Sequence, residues 1–250
     1  SLEGNLLIKS DINILDSISV LGENAVISFE NANNANISNR ISLASGGTLS
    51  LSTSTVNVAN LDLSSANIII NKSSKLNSTN VNFDSSTINL TDVSSVIEAA
   101  TINLANGSTI EGFGNLNATV RAKDSSNIYV GSGGNTGEKL KMKNVVFESG
   151  SNLYIDVDSE NETSDLLEVT GDITVQKNST LYVNFINENA GDGSVALAGG
   201  NSDAPKKFKF LTFTGNYSFD NTTNEIFDII LSNPRYSAST FLLGKDIYLQ

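Results

Sequence analysis

The chain has 250 residues and a mass of 26.5 kDa, with 27 acidic against 15 basic residues and a formal charge of −12. A surface of that sign repels a phosphate backbone, so no nucleic-acid partner is expected. With no His and no Cys, composition alone rules out Cys/His zinc sites, thiol nucleophiles, disulfides and Ser-His-Asp triads.

No charged-then-apolar leader opens the sequence and no apolar run approaches a membrane span. The chain is therefore expected to be soluble as given, a mature or trimmed fragment. Asn and Ser dominate, with 2 Pro, 1 Met and no Trp. That mixture is shared with disordered chains, but here the aliphatics are regular. They come in pairs two positions apart, the period of a strand with one buried face. Examples are Ile41 and Leu43, Leu49 and Leu51, Val56 and Val58, Leu61 and Leu63, and Ile68 and Ile70. No useful stretch has helical spacing.

The pairs recur at a longer period. From Ile41 they step to Leu49, Val56 and Leu61, with gaps of 8, 7 and 5 residues; from Leu61 they step to Ile68, Leu76 and Val81, with gaps of 7, 8 and 5. The next turn, Val81 to Ile88, Val96 and Ile102, takes 21 residues. Three strands and about 20 residues per turn is the cycle of a parallel β-solenoid. Its three faces are expected to stack as Ile41, Leu61, Val81, Ile102; as Leu49, Ile68, Ile88, Ile110; and as Val56, Leu76, Val96, Leu116. The third face is the weakest, its second members falling to Ser78 and Glu98, and reads as a short strand or a corner. Hexapeptide helices need steps of six, nonapeptide calcium rolls need G-G-x-G-x-D, and leucine-rich repeats need helical segments; none of these is present. A β-sandwich fits less well, because Asn-Gly hairpin turns occur once, at Asn106–Gly107.

One coil alone buries too few aliphatics to offset the ordering of its backbone, so each depends on its neighbours. Asn suits such a stack at left-handed turns and in side-chain ladders, the role expected for Asn57 and Asn77. The Asn-x-Ser/Thr triplets at Asn36 and Asn106 are read as products of composition rather than glycosylation acceptors.

The second half differs. Before residue 121 lie three aromatics (Phe29, Phe83, Phe113) and four basic residues; from residue 121 onward lie 14 aromatics and 11 basic residues. Two loop-like runs, 131–144 and 186–207, are expected there, the first interrupting the solenoid. The run GSGGNTGEK does not match a phosphate-binding loop. Residues 150–185 carry Gly150, Leu153, Ile155 and Asp156, then Ser164, Asp165, Leu167, Val169 and Gly171, then Leu181 and Val183. That order, G-x-x-L-x-V-D, a loop, S-D-x-L-x-V-x-G and a hydrophobic strand pair, resembles the C-terminal passenger region of Gram-negative autotransporters (type V secretion). The tail continues in the same style with FKFLTFTG, IFDIIL and DIYL.

The resemblance implies an all-β, right-handed parallel β-helix. Coils over 1–147 would be followed over 148–250 by C-terminal coils and an aromatic-rich, autochaperone-like cap that folds first. It further implies export to the bacterial cell surface, or secretion, through an outer-membrane β-barrel translocator that these residues do not contain.

The one dense acidic cluster is Asp156, Asp158, Glu160, Glu162 and Asp165. Strand alternation puts Asp156 and Asp158 on one face, and the cluster reads as a solvated acidic loop rather than a calcium site. Lys206, Lys207 and Lys209 read as strand-edge charges that discourage pairing. No catalytic, cofactor-binding or metal-binding residue is nominated, no cofactor is expected, and the chain is read as non-enzymatic. The expected function is an adhesin or self-association virulence factor. Its partner would be a host-cell surface ligand or another passenger, met by rows of Asn, Ser, Thr and Asp. The alternatives are the stalk and folding cap of a larger secreted toxin or effector whose active part lies upstream and, less favoured, an Asp-based polysaccharide-degrading β-helix.

Overall fold

The computed structural model describes residues 4–20, 22–186, 206–220, 225–233 and 237–250. Among these residues there is no helix, and the strands stack as a β-solenoid of about 7 turns with about 21 residues per coil. One sheet is built from short strands, beginning Asn5–Ile8, Val26–Glu30, Thr48–Ser52, Asn67–Asn71 and Thr87–Leu90. Each is parallel to the next and alternates inward and outward residues. The expected column Leu49, Ile68, Ile88, Ile110 is present, and it runs on through Ile128, Leu153, Leu181 and Ile229. All but Ile229 are fully buried.

The second sheet is built mainly from strands of eight to ten residues, such as Ala35–Ala44, Thr55–Ser64, Lys75–Asp84 and Val96–Ala105. Each carries two of the expected faces. In Thr55–Ser64 the buried positions are Val56 and Val58, then Leu61 and Leu63, so the inward set changes from even to odd numbers within one strand. The change falls at the bend, where neighbouring strands slip in register. Ala35–Ala44 has one residue more between Ile37 and Arg40 than Thr55–Ser64 has between Val58 and Asn60, and Val96–Ala105 has one more than Asn115–Ala122, the signature of bulges at the bend. The third face is therefore no separate short strand but the first half of a long one. The five-residue gap between Val56 and Leu61 is too short for a turn, and its odd length accounts for the change of phase. The column Ile41, Leu61, Val81, Ile102 is present as expected and extends to Val120 and Val145. In the third column one member is corrected: Leu76 and Leu116 register with Ile97, not Val96. Ile97 is fully buried, while Val96 is only partly so.

Two kinds of polar column tie the coils together. Asn57 and Asn77 are ladder residues as expected, with the Asn77 amide donating to Asn57 Oδ1 at 2.7 Å and that of Asn57 donating to Asn36 Oδ1 at 2.8 Å. Asn106 donates likewise to Asp84 Oδ1 at 2.7 Å. The left-handed turn positions are less particular than expected. Ser45, Ser65, Ser85 and Asn106 occupy successive copies of one corner, with φ between 51° and 54°. Beside the corners run buried serines. Ser54 Oγ accepts the Ala32 N–H at 3.1 Å and Ser74 Oγ accepts the Ser54 N–H at 3.2 Å; Ser86 and Ser108 repeat the pattern at the other corner. These hydroxyls satisfy amides that the turning backbone leaves without a ladder partner.

Of the run 131–144, only 131–138 is irregular. Lys139–Phe147 is a strand within the second sheet, so the loop bulges from the solenoid without ending it. Nearly all of the second expected loop, 186–207, lies outside the described residues. Coils lengthen towards the C-terminus, from 18 residues between Ile110 and Ile128 to 28 between Leu153 and Leu181. Phe208–Phe213 lies between two partners, parallel to Leu166–Val169 and antiparallel to Asp246–Leu249. It is thus interior, not an edge, and the lysines serve otherwise. Lys206 bonds Ser159 O at 2.7 Å and pairs with Glu162, Lys207 lies over the Phe241 ring, and Lys209 pairs with Asp246. Thr240–Leu243 pairs antiparallel with Asp246–Leu249, forming a hairpin that closes this end of the sheet. Beneath it Phe227 meets Phe147 and Phe210 edge-on at 5.3 and 6.3 Å.

Candidate functional site

The acidic cluster is not a solvated loop. Asp165 is fully buried, Asp158 is 3% exposed and Asp156 is 7% exposed; Glu160 and Glu162 alone face solvent. After the strand Asn152–Asp158 the chain turns back, so that Val157 and Asp158 pair antiparallel with Ser164 and Thr163. Asp158 closes this turn by accepting the N–H groups of Glu160 and Asn161, both at 2.9 Å. Asp156 accepts the Gly134 N–H at 2.5 Å and the Asn184 amide at 2.8 Å. Asp165 accepts the N–H groups of Asp156 and Glu138 at 3.0 and 3.1 Å. Desolvation pushes its carboxyl up to about 7, against the lowering effect of those two donors and with the neighbouring Asp156 and Glu138 carboxylates adding to the rise. Asp156 and Asp165 thus fasten the loop 131–138 onto the solenoid, while Asp158 closes its own turn. Among the described residues no group of three or more ligating side chains is placed to hold a metal ion.

A polar concavity lies elsewhere, along the bend where the third face passes into the first. It is a groove of about 760 Å³ whose lining comes from six successive coils: Asn36 and Ser38, Asn57, then Lys75, Asn77 and Thr79, Glu98, Asn117, and finally Lys143. The bend makes the strands concave. The inward residue at the bend shrinks from Ile37 through Val58 to Ser78, which leaves the wall shallow. An outward row in register runs along it: Asn13, Asn36, Asn57, Asn77, Glu98 and Asn117. Lys75 Nζ pairs with Glu98 Oε1 at 2.8 Å. A second depression of about 460 Å³ lies beside the first face, lined in part by Asp62, Asn82, Asn103 and Arg121. There Asn82 donates to Asp62 at 2.8 Å and Arg121 pairs with Glu148 at 3.3 Å.

Sequence reasoning found the ladder asparagines but not the groove. The signal was available in the weakened third face, where small or polar residues replace aliphatics. Lys143 was hidden inside a run read as loop, although Lys139-Leu-Lys-Met-Lys143 alternates as a strand does. Comparison with protein-family models and with curated proteins returns no match. The fold places the chain among parallel β-solenoids.

Proposed function

We propose that this chain is a fragment of an autotransporter passenger, displayed on the bacterial surface or secreted, that acts as a non-enzymatic adhesin or self-association factor. The observation that carries this reading is the asparagine row along the groove. Amides and hydroxyls repeated at the strand spacing of ~4.8 Å offer many weak hydrogen bonds on a rigid track, and repetition makes weak contacts strong. The partner is a host-surface ligand or a second passenger.

The test is display of the full-length protein on bacteria that otherwise neither clump nor adhere. Aggregation or host-cell binding, competed by the soluble chain, is the expected result. Well-displayed protein that produces neither overturns the reading. A second reading, the stalk and folding cap of a larger effector, draws support from the C-terminal hairpin and its phenylalanine cluster, which close one end of the solenoid. An additional domain upstream that carries all toxicity or activity would favour it.

A further inference from the structure

On the outer face of the first sheet, residues in register form columns that run unbroken through ten strands. In one of them three tyrosines stack, Tyr129 on Tyr154 at 3.9 Å between ring centres and Tyr154 on Tyr182 at 4.5 Å, with the rings nearly parallel. The same column holds Leu7, Ile69 and Ile230, three of the seven large apolar side chains that lie exposed among the described residues. The solenoid core needs nothing apolar on that side. The adjoining outward column, from Asn5 to Asp228, is otherwise Asn and Thr with Val26. Across both columns the only charged residues are Glu111 and Asp228, with no Lys or Arg. Ion pairs such as Arg40–Asp62, Lys75–Glu98 and Lys141–Glu168 stand instead on the second sheet.

We propose that this face packs against the same face of a second copy of the chain. The tyrosines spend their ring faces on one another and turn edges and hydroxyls outward, so a sugar finds no open ring to stack on. A lipid surface would call for the basic residues that are missing here. Tyrosine beside Asn and Thr suits a protein interface, where it supplies large contact area at little entropic cost. The chain's charge of −12 selects which protein. A basic partner would be drawn to the acidic surfaces, whereas a second copy is repelled by them and approaches best where few carboxylates stand. Nine steps of ~4.8 Å along the columns and strands of about five residues give roughly 700 Å² per copy, about what a specific interface needs. Because it names a second passenger as partner, the assignment rests on the self-association reading above.

The test is sedimentation equilibrium of the whole chain up to about 100 μM, above the micromolar limit expected for this area. The mass should rise towards twice 26.5 kDa. Raising the salt screens the repulsion between copies and should tighten the dimer. Tyr154→Glu and Ile230→Glu should each weaken it by at least about tenfold. Ala100→Glu adds the same charge at an exposed position in the second sheet and should change dimerisation far less. Thermal melting of dilute samples checks that the variants fold. A chain that stays monomeric overturns the assignment, as does a dimer that loosens with salt or one that folded Ile230→Glu leaves as tight as the parent's. Clumping of displaying bacteria while the soluble chain stays monomeric sinks this interface and spares the self-association reading. A dimer broken by Tyr154→Glu and Ile230→Glu, from a chain whose displayed form neither clumps nor adheres, does the reverse.

Discussion

Asp156 and Asp165 hold each other through a reciprocal pair of hydrogen bonds: the Asp156 N–H donates to the Asp165 carboxylate at 3.0 Å, and the Asp165 N–H donates to the Asp156 carbonyl at 3.0 Å. The two aspartates, nine residues apart, thereby fix the width of the β-turnback that carries Asp158. Asp165 also anchors Glu138, and Asp156 anchors Gly134, so this one contact ties loop, turnback and coil together.

Replacing Asp165 by Leu strands the N–H groups of Asp156 and Glu138 in a dry corner. At about 1–3 kcal/mol per orphaned donor, the variant should lose about 2–6 kcal/mol of stability in urea unfolding. Asp165→Asn keeps one acceptor and should lose markedly less. Equal stability of the Leu variant and the parent would show that the corner admits water.

The same carboxyl gives a pH dependence whose sign can be worked out. Its pKa is raised by burial from 3.8 to about 7, so the folded state keeps a proton that the unfolded chain has already lost. Stability from this group is complete below about pH 4, falls as pH rises, and is gone above about 7. Hydrogen exchange at the Asp156 and Glu138 amides should therefore be slower, after correction for intrinsic rates, at pH 5 than at pH 8. Asp165→Asn should remove that difference; a parent chain showing the opposite trend would contradict the prediction.

Leu61 and Ile68 lie fully buried in adjacent coil columns. Leu61→Asp or Ile68→Asp places a charge inside the stack and should cost about 3–5 kcal/mol, with loss of neighbouring coils. Ile69 points outward and is 37% exposed, so Ile69→Asp should stay within about 0.5 kcal/mol of the parent. Thermal melts of the three variants would decide it, and a parent-like melt for Leu61→Asp would mean that its side chain meets water.

Gly171 has no room for a side chain. A Cβ there would stand 2.7 Å from the Lys143 carbonyl oxygen and press on the Asn144 amide, and a Cβ on Gly215 of the next coil would in turn stand 2.6 Å from the Gly171 carbonyl carbon. Gly171→Ala should destabilise by about 1–3 kcal/mol. A lower urea midpoint with an unchanged slope is the expected readout, and an unchanged midpoint would argue against the close packing.

Much of this architecture was legible because inward positions must stay aliphatic and repeat coil after coil. Leu49, Ile68, Ile88 and Ile110 register as their spacing implied. The slip from Ile97 to Val96 arose where two adjacent aliphatics leave the phase undecided, and only pairing with Leu76 and Leu116 resolves it. Burial of Asp156 and Asp165 could not be read locally. Their cover comes from Gly134 and Glu138, more than 20 residues earlier, and acidic side chains in a row look solvated until something is laid over them. The lysines around residue 207 misled for a related reason: whether a strand is an edge depends on a partner, Asp246–Leu249, far along the chain.

The buried serine column makes the molecule modular in its length. Ser54 caps the Ala32 amide just as Ser74 caps that of Ser54, one coil later and 20 residues on. Excising residues 54–73 would bring Ser74 onto Ala32 and Leu76 onto Ala35, restoring every corner with like chemistry. The rod would be shorter by one step, ~4.8 Å, and otherwise unaltered. Reach can thus be adjusted in whole-turn increments, by deletion or duplication, without redesigning a core.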